Sequence, residues 1–148
     1  MKTILSALAI ILYLGVATSG FAGDSYLCIT DKASGFLYDK DTKEWKSAEF
    51  EPGEKYILKK SKKTIDVFTP DAEVGDFLIY NLESSFSAGY CSKIASRGDI
   101  YDCKLWTGIA KFNEKKMIFL KVYTPGYWDN STLNTPYMEI GKCSPFNK

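Results

Sequence analysis

The segment Lys116-Met117-Ile118-Phe119-Leu120-Lys121-Val122-Tyr123 has the clearest strand pattern in the chain. Ile118, Leu120 and Val122 alternate with Phe119, Lys121 and Tyr123, so the two sets point to opposite faces of a strand. No stretch beyond the first 22 residues has the spacing of an amphipathic helix. The segment therefore predicts a β-strand and favours an all-β fold.

Similar short segments occur on both sides of this one, separated by turn-forming residues. They are residues 25–30, 35–39, 44–50, 55–60, 63–68, 76–82, 88–94, 100–106 and 136–143. About eight to ten short strands with regular turns are typical of an antiparallel barrel or a two-sheet sandwich. We predict a small antiparallel β-barrel, because closure leaves no exposed sheet edge, and keep the β-sandwich as the alternative.

Residues 1–22 have the three-part pattern of a cleavable signal peptide. Lys2 precedes a largely apolar run over 4–17, and small residues occupy Gly20 and Ala22. A run of about 14 residues is too short to cross roughly 30 Å of hydrocarbon. We therefore predict export to the periplasm or the medium, a single β domain over 23–148, and no stable membrane anchor after cleavage.

Four cysteines follow the predicted cleavage point: Cys28, Cys91, Cys103 and Cys143. An even number in an exported chain predicts disulfides, and four cysteines allow three pairings. We favour Cys91–Cys103, which closes a short loop, and Cys28–Cys143, which would tie the first strand to the last. A metal site is disfavoured because the chain has no CxxC spacing and no histidine. No cofactor is expected.

The charge balance gives no reason to expect nucleic acid as a partner. Lys2 is the one charged residue of the first 22, so 18 basic and 18 acidic residues remain and the net charge is zero. Binding to a polyphosphate backbone is driven by an excess of basic side chains, which this chain lacks.

The absence of histidine argues against the familiar nucleophilic hydrolases. Mechanisms of the Ser-His-Asp and Cys-His types need an imidazole, and disulfide formation removes the thiols. A carboxylate pair, as in glycoside hydrolysis, or a serine–lysine pair remains the alternative. Asp99, Asp102 and Glu83 are candidates, although no spacing marks them. We predict that the protein is not an enzyme.

The strongest candidate for ligand binding is the set Tyr127, Trp128, Asp129 and Asn130, within a long loop over 124–135. Flat aromatic rings beside hydrogen-bonding side chains on a loop suit contact with a sugar or a peptide. The alternative is that both rings fold back and close one end of the barrel. Four other aromatic residues are assigned to the core: Tyr38, Trp45, Tyr101 and Trp106.

Four segments resemble small exported proteins of proteobacteria and their phages that have no assigned function. They are residues 34–38, 42–45, 111–113 and 135–143. The resemblance implies a periplasmic or secreted protein and supplies no catalytic residues. Residues 26–28 also resemble the start of the periplasmic lysozyme inhibitors, which are small disulfide-tied β-barrels. The serine-glycine and lysine signatures of that family are absent here, which puts inhibition in doubt.

These observations predict a secreted or periplasmic, non-catalytic β-barrel that binds a protein, a glycan or a small ligand in the cell envelope. The alternatives are a carboxylate-dependent hydrolase acting on envelope polysaccharide and a structural component of the envelope.

Overall fold

The computed structural model describes residues 25–61, 75–128 and 134–146. These residues contain nine antiparallel strands and one short 3₁₀ turn. The strands are β1 (Ser25–Asp39), β2 (Glu44–Phe50), β3 (Lys55–Lys60), β4 (Phe77–Asn81), β5 (Ser87–Lys93), β6 (Ile100–Leu105), β7 (Gly108–Asn113), β8 (Ile118–Tyr123) and β9 (Tyr137–Pro145). The predicted signal segment, the predicted strand over 63–68, and Asp129 and Asn130 lie outside the described residues.

Eight of the strands form a closed barrel. The order β1-β3-β4-β5-β6-β7-β8-β9 returns to β1, which pairs with β3 on one side and β9 on the other. The prediction of a small antiparallel barrel is confirmed, and the sandwich alternative is wrong. The ninth strand, β2, pairs with the far half of β1 and lies outside the ring.

The first strand is longer than the sequence pattern predicts. Residues 25–30 and 35–39 belong to one strand of 15 residues, interrupted by an irregularity between Thr30 and Lys32. The near half pairs with β3 and β9, while the far half pairs with β2 and, as far as Gly35, with β9. Past Gly35 the hairpin of β1 and β2 extends beyond one mouth of the barrel.

Both predicted disulfides are present. Cys28–Cys143 joins β1 to β9, and Cys91–Cys103 joins β5 to β6, in each case between directly opposed residues. All four sulfurs belong to buried residues on the inner face. Disulfides persist in oxidising compartments, so they indicate that the protein folds outside the cytoplasm.

The inner face of the barrel is packed with aromatic rings and cystines. Tyr26, Phe77, Tyr101 and Phe112 contact one another with ring centroids 5.0–6.1 Å apart. At the end of the barrel away from the hairpin, Glu114 accepts hydrogen bonds from the hydroxyls of Tyr26 and Tyr101, at 2.6 and 3.0 Å. The assignment of Tyr101 to the core is therefore confirmed.

The other three core assignments are wrong. Trp106 is 85% exposed because it sits in the tight turn between β6 and β7, past the last inward-facing residue. Tyr38 and Trp45 are half-buried and pack against each other on the β1–β2 hairpin, outside the barrel ring. The large size of an aromatic side chain favours burial, but these three residues belong to a turn or to the hairpin and not to the inner face of the ring.

The structure also shows which of the two alternating sets of β8 residues faces the barrel interior. Phe119 and Lys121 are buried inside the barrel, while Ile118 is 46% exposed on the outer face. A lysine therefore points inward where an isoleucine points outward. The inner face accepts it because other polar groups lie there to pair with it.

Candidate functional site

An open groove of about 660 Å³ lies where the hairpin leaves the barrel. Its floor is the outer face of the sheet formed by β8, β9, β1 and β2, and includes Val122, Met138, Ser34 and Phe36. Tyr127 and Trp128, from the loop after β8, also line it. The floor is mostly apolar and open to solvent, since Phe36 and Met138 are about half exposed.

The backbone at Gly126 directs the two aromatic side chains to this groove. Gly126 has a φ of 88°, in the left-handed region that favours glycine, and a Cβ there would meet the Asn134 carbonyl oxygen at 1.3 Å. Asn134 also accepts a hydrogen bond from the Tyr123 hydroxyl at 3.3 Å. The loop is thus folded back on itself at the point where the aromatic pair begins.

Four aromatic rings in successive contact connect the hairpin to the groove. Tyr38 contacts Trp45, Trp45 stacks on Tyr127 with centroids 5.8 Å apart, and Tyr127 contacts Trp128 edge-on at 5.5 Å. We call these four residues the aromatic wall. Tyr127 is 55% and Trp128 88% exposed, so they do not close the barrel end.

The structure separates the other candidate residues. Asp99 follows the 3₁₀ turn at the end of the barrel away from the hairpin, while Glu83 is in the β4–β5 loop at the hairpin end. Asp102 points outward from β6 and pairs with Lys111 on β7. These three carboxylates do not form a common site, and their positions fit solvated turn and surface residues.

A second polar cluster, which sequence reasoning missed, lies inside the barrel mouth below the hairpin. The Lys121 ammonium is 3.0 Å from Glu54 Oε2, 3.7 Å from Glu139 Oε2 and within hydrogen-bond distance of the Tyr56 and Tyr137 hydroxyls. It also lies 4.9–5.9 Å from the ring centres of Tyr56, Tyr123 and Tyr137. The lysine is therefore held by two carboxylates and an aromatic cage.

Glu54 reaches this cluster because the β2–β3 connection is tied to the barrel. Thr30 is buried at the irregularity in β1, where its hydroxyl donates to the Glu54 carbonyl at 3.2 Å and accepts from the Gly53 amide at 3.1 Å. No local motif marks this contact, since the residues are more than 20 positions apart.

The two carboxyl groups of the cluster have pKa values shifted in opposite directions. Burial raises the pKa of Glu139 above 4.5, and the charge of Lys121 only partly offsets this. Burial acts in the same direction on Glu54, but hydrogen bonds from Tyr56 and Lys121 outweigh it and lower its pKa. Burial would lower the pKa of Lys121, yet the hydrogen bonds with Glu54 and Tyr137 raise it, so the ammonium form persists.

Pairs of carboxyl groups with divergent pKa values also occur in acid–base catalysis, where both groups must reach the substrate. Here one of the two carboxyl groups is shielded from solvent. The Glu139 side chain is 4% exposed, and the Tyr56 hydroxyl lies 3.1 Å from its Oε2, between it and Glu54. Glu54 is 47% exposed, but a substrate would have to displace buried, paired groups to reach Glu139. The cluster therefore ties β3, β8, β9 and the β2–β3 connection together at the barrel mouth.

Comparison of the chain with protein-family models, curated proteins and solved structures finds no significant match. Across the described ranges, no group of three or more His, Cys, Asp or Glu side chains is placed to hold a metal ion. No helix within those ranges is both long enough and apolar enough to cross a bilayer.

Proposed function

We propose that this protein is a non-catalytic binding protein of the periplasm or the medium, and that its ligand lies in the groove beside the aromatic wall. The observation that carries the proposal is the exposure of Tyr127 and Trp128 beside Phe36 and Met138 on an open apolar floor. Large aromatic side chains that remain exposed and clustered are enriched where proteins bind partners.

The support of the aromatic wall distinguishes it from an isolated exposed ring. Tyr127 is stacked on Trp45, and Trp45 packs at a tilt against Tyr38, so Tyr127 is supported by its neighbours without a ligand. A pre-organised aromatic surface loses less conformational entropy on binding than a mobile one. The predicted alternatives, a protein, a glycan or a small ligand, share this requirement for flat rigid contacts, and we favour a protein partner in the cell envelope.

A matched pair of tryptophans tests the proposal. Trp128 and Trp106 are exposed to nearly the same extent, 88% and 85%, but only Trp128 is among the residues that line the groove. Wild-type protein, Trp128→Ser and Trp106→Ser would each be immobilised and used to capture proteins and glycans from a cell-envelope extract, followed by native mass spectrometry.

The expected result is a ligand that wild type and Trp106→Ser retain and that Trp128→Ser loses by at least about tenfold, since aromatic hot spots contribute a large share of binding energy. Recovery that is equal for all three baits, or lost equally in both variants, would contradict a groove site. Failure to recover any ligand with wild type would contradict the binding function itself.

The carboxylate-dependent hydrolase remains a second candidate, and the divergent pKa values of Glu54 and Glu139 are the observation in its favour. Zymography on peptidoglycan with wild type, Glu54→Gln and Glu139→Gln tests it. We expect no clearing band from wild type. A band that disappears in both variants would replace the binding proposal with the enzyme.

A further inference from the structure

Within residues 25–61, 75–128 and 134–146, the outer edge of β2 has no neighbouring strand, whereas the other strands are closed into a ring. In the described residues β2 pairs with β1 alone, over Glu44–Phe50. An unpaired strand edge presents a row of amide and carbonyl groups that can accept another strand. Natural proteins usually block such an edge with a proline, a bulge or a lysine.

The edge of β2 is not blocked in these ways. The strand has no proline, and its register with β1 is continuous. Its one lysine, Lys46, is ion-paired with Asp39 at the end of β1, which draws it toward the hairpin partner. The sequence and geometry of β2 therefore leave its edge accessible within the described residues.

The hydrogen bonds of β1 identify which groups of β2 are free. The Phe36 amide donates to the Pro136 carbonyl on the β9 side, at 3.0 Å, so Phe36 does not bond toward its partner Ser47. Hydrogen-bonding direction alternates along an antiparallel strand. The backbone groups of Trp45, Ser47 and Glu49 therefore point to the free edge, while those of Lys46 and Ala48 pair with β1.

The groove lies directly beside these free groups. Ser47 and Glu49 line it together with Ser34 and Phe36 on β1. Ser47 and Ser34 are small and share the outer face, so a large side chain from a strand added to β2 can lie across them toward Phe36 and Trp128. Edge hydrogen bonds and a side-chain groove next to each other are what recognition by strand addition requires.

The charge of the edge specifies the occupant further. Glu44, Glu49 and Glu51 are all exposed, and no ion pair is described for them within the described ranges, whereas Lys46 is already paired. An incoming strand that carries lysine or arginine opposite these carboxylates gains complementary charge, and an acidic strand is repelled.

We propose that this protein binds its partner by β-strand addition, in which an extended, basic peptide segment with alternating apolar side chains pairs with β2. The grounds are the unpaired edge of β2, the adjoining groove and the exposed glutamates Glu44, Glu49 and Glu51. The inference rests on the proposed function and names the partner chemistry of the same site. The backbone bonds supply affinity for any extended chain, and the groove and the glutamates select its side chains.

Selection from a random seven-residue peptide library displayed on phage, with the wild-type protein as bait, tests the inference. We expect enriched peptides to alternate apolar with other residues and to contain lysine or arginine. Synthetic copies would then be titrated against wild type, Ser47→Ala and Ser47→Pro by fluorescence anisotropy.

Ser47→Ala retains the edge amide and serves as the control, while Ser47→Pro removes that donor without touching the ladder with β1. We expect Ser47→Pro to weaken binding about tenfold, the effect of one lost hydrogen bond, and Ser47→Ala to change it little. If Ser47→Pro fails to fold, hydrogen exchange on wild type replaces it, with slowed exchange of the Trp45, Ser47 and Glu49 amides expected on peptide addition.

Enriched peptides without alternation, or equal affinity for Ser47→Pro and wild type, would overturn strand addition. Edge amides already protected in a dimer of the free protein would overturn it as well, because a second copy would then occupy the edge. If a partner from the envelope extract needs Trp128 but binds Ser47→Pro as tightly as wild type, the groove proposal stands and strand addition fails. If wild type binds neither peptide nor partner, both fail.

Discussion

The closed ring of the barrel and the β1–β2 hairpin above it are both built from antiparallel strands, but they differ in how completely those strands are paired and packed. In the ring every strand has two neighbours, the rings of Tyr26 and Phe112 are fully packed, and two cystines fix the pairings. In the hairpin, β2 has one described neighbour and the adjoining aromatic residues face solvent. The contrast indicates that stability resides in the ring and recognition in the hairpin.

Loss of the cystines is expected to have the largest effect on the ring. Cys28–Cys143 spans 115 residues of sequence and Cys91–Cys103 spans 12. In the chain-entropy account the first contributes about 5 kcal/mol and the second about 3 kcal/mol to the free energy of unfolding. Urea unfolding of Cys28→Ala/Cys143→Ala and Cys91→Ala/Cys103→Ala would measure both, and a larger loss from the short loop would contradict this order.

Adjacent residues of β8 test which face belongs to the ring. Phe119 is 2% exposed and Ile118 is 46% exposed. We expect Phe119→Ala to lower the free energy of unfolding by about 3–5 kcal/mol and Ile118→Ala by less than about 1 kcal/mol. Similar losses from the two variants, measured by chemical denaturation, would mean that the outer face of β8 is covered by another element or molecule.

The sequence predicts the strand content well because strand formation depends on local alternation, but it leaves the facing of each strand open. Either set of alternating residues in β8 satisfies the pattern, and an aliphatic set would ordinarily be placed inside. The inward position of Lys121 depends on Glu54 and Glu139, which are 67 and 18 residues away in the sequence. Closure of the sheet, rather than local propensity, brings them together.

Only part of the candidate site can likewise be predicted from local sequence. Tyr127 and Trp128 could be selected from composition and turn signals, since a loop with adjacent aromatics is a local feature. The groove they line, however, also needs Phe36 and Met138 from distant strands. The strand β7, which the sequence pattern did not identify, shows the opposite limit: Gly108–Asn113 alternates only weakly, and its neighbours β6 and β8 determine its structure.

The polar cluster around Lys121, where the ring meets the hairpin, is expected to have a smaller, pH-dependent effect on the free energy of unfolding. The raised pKa of Glu139 means that the folded state holds its proton to higher pH than the unfolded state does, so this group's contribution to stability is lost as pH rises through the raised pKa. The lowered pKa of Glu54 has the opposite sign, and its contribution is present above pH 4.5 and lost as pH falls through the lowered pKa.

Thermal unfolding of Glu139→Gln and Glu54→Gln from about pH 2 to about pH 8 would separate the two groups, because the contribution of Glu54 changes below pH 4.5 and that of Glu139 changes above it. Relative to wild type, Glu139→Gln should gain stability as pH rises and Glu54→Gln should lose it. The Glu54 effect should stay below about 1 kcal/mol because its side chain is 47% exposed and solvent screens the pair. Slopes of the same sign for both variants would contradict the opposite pKa shifts.

The contrast between a closed ring and an open hairpin is tested most directly by site-resolved amide hydrogen exchange in the ligand-free protein. The account predicts alternation within β2, with fast exchange at Trp45, Ser47 and Glu49 and slower exchange at Lys46 and Ala48, beside uniform protection of Leu58 and Ile79 in the ring. Uniform protection along β2 would show that its edge is already covered and would contradict the account.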